Sequence, residues 1–398
     1  SNKRKVLDKL FFESILYGKL KNIFVDRMKI NPHIDTDVFK KRMGTFIKNI
    51  NSEKSVDLEQ YMSVEGFYLM DSLNITKIGS LYLTGFDFKE DNENKVEKAR
   101  FLFVQVVPLK NGKPGYFVAG VEVNFSENLI LTMIRNISTQ IKRDYNEDEE
   151  GFEKNWDENL NNFYYSIKKL VINNLGINTF VENENDRNDE ESDFYYKKDR
   201  RAMYKMCKEL DERVLEEFRQ ELNRKFEEGT DSVIESLFKR LFKPTQIVLP
   251  KYKIEFKDKL DSLLLSTLIR VLADDEDIVD IAKEKKLIGF PTKISFTSES
   301  SEKGSTGTSG KDSPVSGSGM FHSLYTDFNE AFELPYWSIS WFRDFRHQSS
   351  SDINVVPSTI ESRGKLFRIT FKNNTYLTKE LIYHVIRNID RYRSQEDQ

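Results

Sequence analysis

The stretch from residue 101 to residue 125 constrains this chain most. Residues 101–107 form a dense apolar run, 108–115 (PLKNGKPG) are packed with turn formers, and a second run follows from Tyr116 to Phe125. In the second run Val121, Val123 and Phe125 alternate with Glu122 and Asn124. Alternation of that kind puts the apolar set on one face of a strand, and that face must meet a core. The reading is an antiparallel hairpin. Residues 80–88 (SLYLTGFDF) add a half-buried strand before it, so the unit is a small meander.

Around this meander the period changes to three and four. Leu7, Leu10, Phe11, Ile15, Leu20, Ile23 and Phe24 predict a helix over 6–28, broken at Asn31-Pro32. Residues 37–50 predict a second helix capped by Asp35 or Thr36. Ser126 is placed to cap a helix over 129–141, and residues 157–175 predict another that ends at Gly176. Cys207, Leu210, Val214, Phe218, Leu222 and Phe226 mark a long helix with one apolar stripe, and a shorter helix runs from Thr230 or Asp231 to 242, before Pro244. That pair is expected to be an antiparallel hairpin or part of a dimer interface.

In the last third the pattern predicts a strand at 246–256, helices at 260–272 and 277–286, and a strand at 293–297. Residues 298–319 are rich in Ser, Gly, Thr and Lys and are expected to be flexible. A strand at 365–371 and a helix at 378–392 close the chain. The fold class is therefore α+β. Acidic runs at 144–150 and 182–193 suggest a division into 1–143, 144–195, 196–243 and 244–398.

Composition removes several functions. Lys and Arg number 61 against 65 Asp and Glu, a balance unlike that of a polyanion binder, although a local basic face is compatible with it. No apolar run approaches the roughly 18 residues of a membrane-spanning helix. One cysteine, Cys207, excludes an intrachain disulfide and a multi-cysteine zinc site. It falls on the apolar stripe and reads as a small buried hydrophobe. His33, His322, His347 and His384 lack the tight spacing of a metal or acid–base site. No secretory signal is read at the start, and the expected location is intracellular and cytoplasmic.

Four patterns bear on chemistry. Gly304 to Lys311 has the look of a P-loop but places Ser305 where a Gly is required, and Asp312 where a hydroxyl must hold Mg²⁺. Gly317-Ser318-Gly319 precedes the helix-like Met320-Phe321-His322-Ser323-Leu324, and glycines there let backbone amides approach phosphate. With this Gly-x-Gly box, the apolar segment 263–272, the lid-like loop and the strand Leu366–Phe371, residues 247–371 resemble the ATP-binding fold of histidine kinases. That resemblance implies a nucleotide site with ATP and Mg²⁺ at Gly317 and Gly319. The segment 263–272 has no Asn for the metal, and Thr297, Ser298 and Glu299 stand where the family has its Asp-x-Gly.

The third pattern is the aromatic and arginine segment containing Trp337, Trp341, Arg343 and Arg346. Such residues can fill a core, form a protein interface, or stack on nucleic-acid bases. The fourth is Glu255-x-Lys257 at the end of the expected strand, which has the spacing of a nuclease half-motif, with Asp258 and Asp261 following.

The expected function is that of a non-enzymatic interaction or regulatory protein, a scaffold or sensor. Its surfaces would be the aromatic and arginine segment, the long helix around Leu210 to Leu222 and the acidic loops. A protein partner or self-association follows, with no cofactor, no metal and no membrane. The alternatives are a degenerate nucleotide-binding regulator and a nucleic-acid-binding protein or metal-dependent nuclease.

Overall fold

The computed structural model describes residues 2–51, 61–69, 79–108, 113–135, 149–180, 190–226, 230–243, 246, 249–297, 303–308, 310–343, 354–363, 366–372 and 376–395. The fold class is α+β, and the strands pair antiparallel. The chain forms two compact units, Ser1–Tyr195 with Gly364–Tyr383, and Tyr196–Arg363 with His384–Gln398. Each unit is made of two pieces that alternate along the chain, an arrangement that the linear four-block division does not contain.

The first unit begins with α1 (Asn2–Gly18), β1 (Asn22–Ile30) and α2 (Thr36–Asn51). The expected helix over 6–28 thus stops at Gly18, and its second half is a strand. Next come β2 (Phe67–Tyr68), β3 (Leu81–Glu90), β4 (Val96–Pro108), β5 (Pro114–Asn124) and β6 (Leu129–Ile134). β6 replaces the first part of the helix expected over 129–141; residues 136–141 lie outside the described residues. α3 (Glu149–Leu175) and β7 (Asn178–Thr179) follow, and Gly176 ends α3 in the left-handed region at φ +63°.

The strands run in the order β2-β3-β4-β5-β6-β1. Register sorts their side chains. Phe101 on β4 is opposite Phe86 on β3 and Val121 on β5. These residues lie in one core with Phe39, Met43 and Phe46 of α2 and Phe163, Ile167 and Val171 of α3. The neighbouring position, Arg100, is opposite Asp87 and Glu122, so those three charged residues share the other face. α1 covers that face. Its Leu16 comes so near Gly120 that a Cβ there would sit 2.1 Å from a Leu16 methyl.

The second unit is built on α4 (Glu190–Lys225), α5 (Asp231–Leu241), α6 (Pro250–Leu272) and α7 (Asp275–Glu284). Then come β8 (Gly289–Thr297), β9 (Lys303–Gly307), a 3-10 turn (Val315–Gly317), α8 (Gly319–Ser323), α9 (Tyr325–Ala331), β10 (Tyr336–Phe342) and β11 (Val355–Arg363). Its strands run β11-β10-β8-β9.

Several expectations change here. Over 250–256 the strand expected at 246–256 is instead the first two turns of α6, with Pro250 at the position where a helix tolerates its missing N–H; residues 247–248 lie outside the described residues. α5 packs on α6, with Phe238 edge-on to Phe256 at 5.5 Å, whereas the apolar side of α4 meets α9 through Tyr204 and Phe328 at 5.1 Å. The Ser/Gly segment expected to be flexible holds β9 and the 3-10 turn; residues 298–302 and 309 lie outside the described residues. The chain ends with β12 (Leu366–Phe371), antiparallel to β1, and α10 (Lys379–Ser394).

Candidate functional site: an acidic cleft among three helices

The second unit carries a cleft of about 660 Å³ between α4, α6 and α9. That volume lies within the range of ligand pockets. α4 lines it with Lys208, Glu212 and Glu216 at four-residue steps, then Arg219. α6 contributes Asp258, Asp261 and Ser262, and α9 contributes Tyr325, Asn329 and Glu330. The apolar stripe of α4 (Cys207, Leu210, Val214, Phe218) is buried, so these polar side chains occupy the flank of the helix beside it.

Carboxylates outnumber cations along the walls. Lys208 lies 3.9 Å from Glu212, and Glu216 is held by Lys285 at 3.2 Å. Asp261 accepts a hydrogen bond from the Thr230 hydroxyl at 2.8 Å. No described residue forms an ion pair with Asp258 or Asp261. Burial and then the neighbouring Asp261 hold the Asp258 carboxyl above the ordinary carboxylate range, partly opposed by Lys257. Arg219 lies over the Tyr325 ring at 5.1 Å, and its Nε and one Nη are buried without a hydrogen-bond partner among the described residues.

Beneath Arg219 is a buried polar group. Asp211 accepts from the Ser316 hydroxyl at 2.7 Å, and His322 Nε2 meets the Ser316 carbonyl at 2.8 Å. Burial pushes Asp211 up to about 7 against the opposing Ser316 hydrogen bond and Arg219. Burial also lowers His322 and pushes the Cys207 thiol well up. Ser316 donates to the aspartate, not to the histidine, and it is fully buried. These residues therefore lack the hydroxyl-to-base contact of a hydrolytic triad. The high pKa keeps Cys207 a thiol, as expected of a buried hydrophobe.

The residues named from sequence are not brought together. Glu255 and Lys257 lie on α6, not at a strand end, and two residues of helix turn them about 200° apart. Glu255 pairs with Lys259 at 2.8 Å, and Lys257 pairs with Asp231 at 2.6 Å. Gly317 borders a separate hollow with Arg270, Asp274, Asp275 and Glu276, and Gly319 opens α8, which has five residues. The acids there repel phosphate.

Trp337 and Trp341 are fully buried on β10, and Trp341 donates to Ser358 at 2.7 Å. They are core, so the docking surface expected at these two residues is not presented. Arg343 is half-buried just beyond the strand; Arg346 and His347 lie outside the described residues. Among the described residues no group of three or more His, Cys, Asp or Glu could hold a metal ion. No helix among them is long and apolar enough to cross a membrane.

Sequence reasoning named Asp258 and Asp261 only as neighbours of Glu255 and Lys257, and it missed Arg219 and Tyr325. The four-residue spacing of Lys208, Glu212 and Glu216 was the available signal, but it also describes an ordinary solvated helix face. No protein-family model, curated protein or solved structure matches this chain.

Proposed function

We propose that this chain is a non-enzymatic interaction protein whose second unit holds basic side chains of a protein partner in the α4, α6 and α9 cleft. One observation carries the reading. Glu212, Glu216, Asp258, Asp261 and Glu330 line a concave surface that offers only Lys208 and Arg219 as cations. The absence of ion pairs to Asp258 and Asp261 among the described residues leaves two carboxylates for an incoming ammonium or guanidinium. Arg219, stacked on Tyr325, can take a partner carbonyl or carboxylate at the cleft wall. The reading keeps the long helix as a working surface and transfers the partner site from Trp337 and Trp341 to the cleft.

The test is calorimetric titration with a short Arg/Lys-rich peptide at two salt concentrations. The expected result is saturable binding that weakens as salt rises. The double variant Asp258→Asn, Asp261→Asn should bind about tenfold or more weakly, the loss of one or two charge-assisted contacts. Unchanged affinity in the double variant would overturn the site, and no binding at millimolar peptide would overturn the class of partner. Equal binding of spermine and peptide would make the ligand a polyamine.

A further inference from the structure

The first unit contains a charge cluster independent of the cleft. Glu122 on β5 is fully buried. Its carboxylate accepts hydrogen bonds from the hydroxyls of Tyr17 on α1 and Tyr383 on α10. Lys98 on β4 lies 3.2 Å from one oxygen, and Lys379 on α10 lies 3.8 Å from the other. Two ammonium groups thus share one carboxylate that two tyrosines already occupy. Arg100, paired with Asp87 at 2.5 Å and with Glu13 at 2.7 Å, adds a third cation on the same face.

One of the two lysines is in a poor position to stay charged. Lys379 is the first residue of α10, where the helix dipole is positive and a cation is disfavoured. Thr378 caps that end, accepting from the Leu381 amide at 3.3 Å. The amine is also the more distant from the carboxylate. Its side chain packs beside the rings of Tyr17 and Tyr383, at 5.3 and 5.9 Å, yet 36% of it remains exposed. Burial lowers its pKa, Lys98 and Arg100 act in the same direction, and Glu122 opposes them. A desolvated lysine beside another cation is the arrangement that makes an amine nucleophilic near neutral pH.

We propose that Lys379 is a nucleophilic amine that forms an imine with small carbonyl compounds. The neutral Nζ adds to the carbonyl carbon, a C–N bond forms, and the carbonyl oxygen leaves as water with the two amine hydrogens. No oxidant or reductant enters that step.

The test traps the imine. The full chain is treated at pH 7 with limiting ¹³C-formaldehyde and cyanoborohydride, which reduces the imine to a methylated amine, and the labelled lysines are located by peptide mapping. Each unit by which a lysine pKa falls raises its neutral fraction about tenfold. Lys379 should therefore label faster, by severalfold, than the exposed Lys5 and Lys251. Lys98→Met removes the competing ammonium from Glu122 and should slow the labelling of Lys379 relative to the unsubstituted protein, while its burial and Arg100 still act on it. Should that variant fail to fold, the pH titration of the ¹³C-methyl resonance of Lys379 in the unsubstituted protein replaces it. A midpoint below those of the other lysines supports the proposal. Labelling no faster than Lys251, or a midpoint at or above the others, overturns it.

Discussion

Asp26 on β1 and Lys168 on α3 meet at 2.6 Å inside the first unit, with 4% and 1% of their side chains exposed. The Tyr164 hydroxyl donates to the same carboxylate at 2.8 Å, so the pair is embedded in the packing that joins α3 to the sheet. Removing one charge leaves the other buried without compensation. Lys168→Met should destabilise the fold by about 3–5 kcal/mol, measured by chemical denaturation. Lys168→Met combined with Asp26→Leu should recover most of that loss. A single variant as stable as the original would show that water reaches Asp26.

Asp211 gives the second unit a stability that depends on pH. Its carboxyl is pushed from 3.8 up to about 7 by burial, so between those values it is protonated when folded and ionised when unfolded. The unfolded state gains from that ionisation. This contribution to stability is whole below about pH 4, declines as pH rises, and is fully lost above about pH 7. Asp211→Asn keeps an acceptor for Ser316 and carries no charge. It should stabilise the protein at pH 8, by an amount on the order of 2–4 kcal/mol, and by nearly nothing at pH 4. Melting curves across that range check it, and a difference independent of pH would contradict the assignment.

Gly317 and Gly319 give the nucleotide alternative a direct check. Asp274, Asp275 and Glu276 share the hollow with Gly317, opposed by Arg270. Millimolar Mg²⁺-ATP should leave the melting temperature unchanged to within about a degree, whereas a site filled at 100 times its dissociation constant would add about 2.7 kcal/mol. A shift of several degrees that Gly317→Ala abolishes would restore the nucleotide reading. The added Cβ would sit 2.9 Å from an Ile278 methyl and 3.1 Å from an Asp275 oxygen, so it narrows the hollow directly.

The strands legible in the sequence were those whose two faces differ in polarity or that stand next to turn-forming residues. In β5 the alternation of Val121 and Val123 with Glu122 and Asn124 survives because its two faces differ in character, and β4 stands out as a dense apolar run. β1 and β6 are buried on both faces over most of their length, and such runs lose the period of two. Leu20, Ile23 and Phe24 then fit a helical stripe as well as a strand. At 250–256 the error ran the other way. Tyr252 and Ile254 alternate with charged residues, but both are exposed on α6, so the alternation does not mark a buried face.

The cleft was less legible than the fold. Glu212, Asp258 and Tyr325 are each ordinary on their own helix, and only the packing of three helices makes them one surface. The Glu122 cluster depends on register in the same way, since Glu122 lies opposite Arg100, and Lys98 opposite Asn124, only once β4 and β5 are aligned. The aromatic segment misled because Trp and Phe have the same composition in a core as in an interface.

The return of the chain to the first unit sets a timetable for synthesis. Asn22, Ile23 and Phe24 pair with Thr370, Ile369 and Arg368. The β1 residues are made before their β12 neighbours, with Tyr196–Arg363, the larger part of the second unit, made between them. At about 5–20 residues per second, roughly ten to thirty seconds separate Tyr195 from the arrival of β12. During that interval one edge of β1 keeps unpaired backbone groups, a template for strands of another nascent chain. The sheet of the first unit is thus completed only after Tyr196–Arg363 has been made, and its exposure to chaperones in a cell is set by the translation rate of that segment.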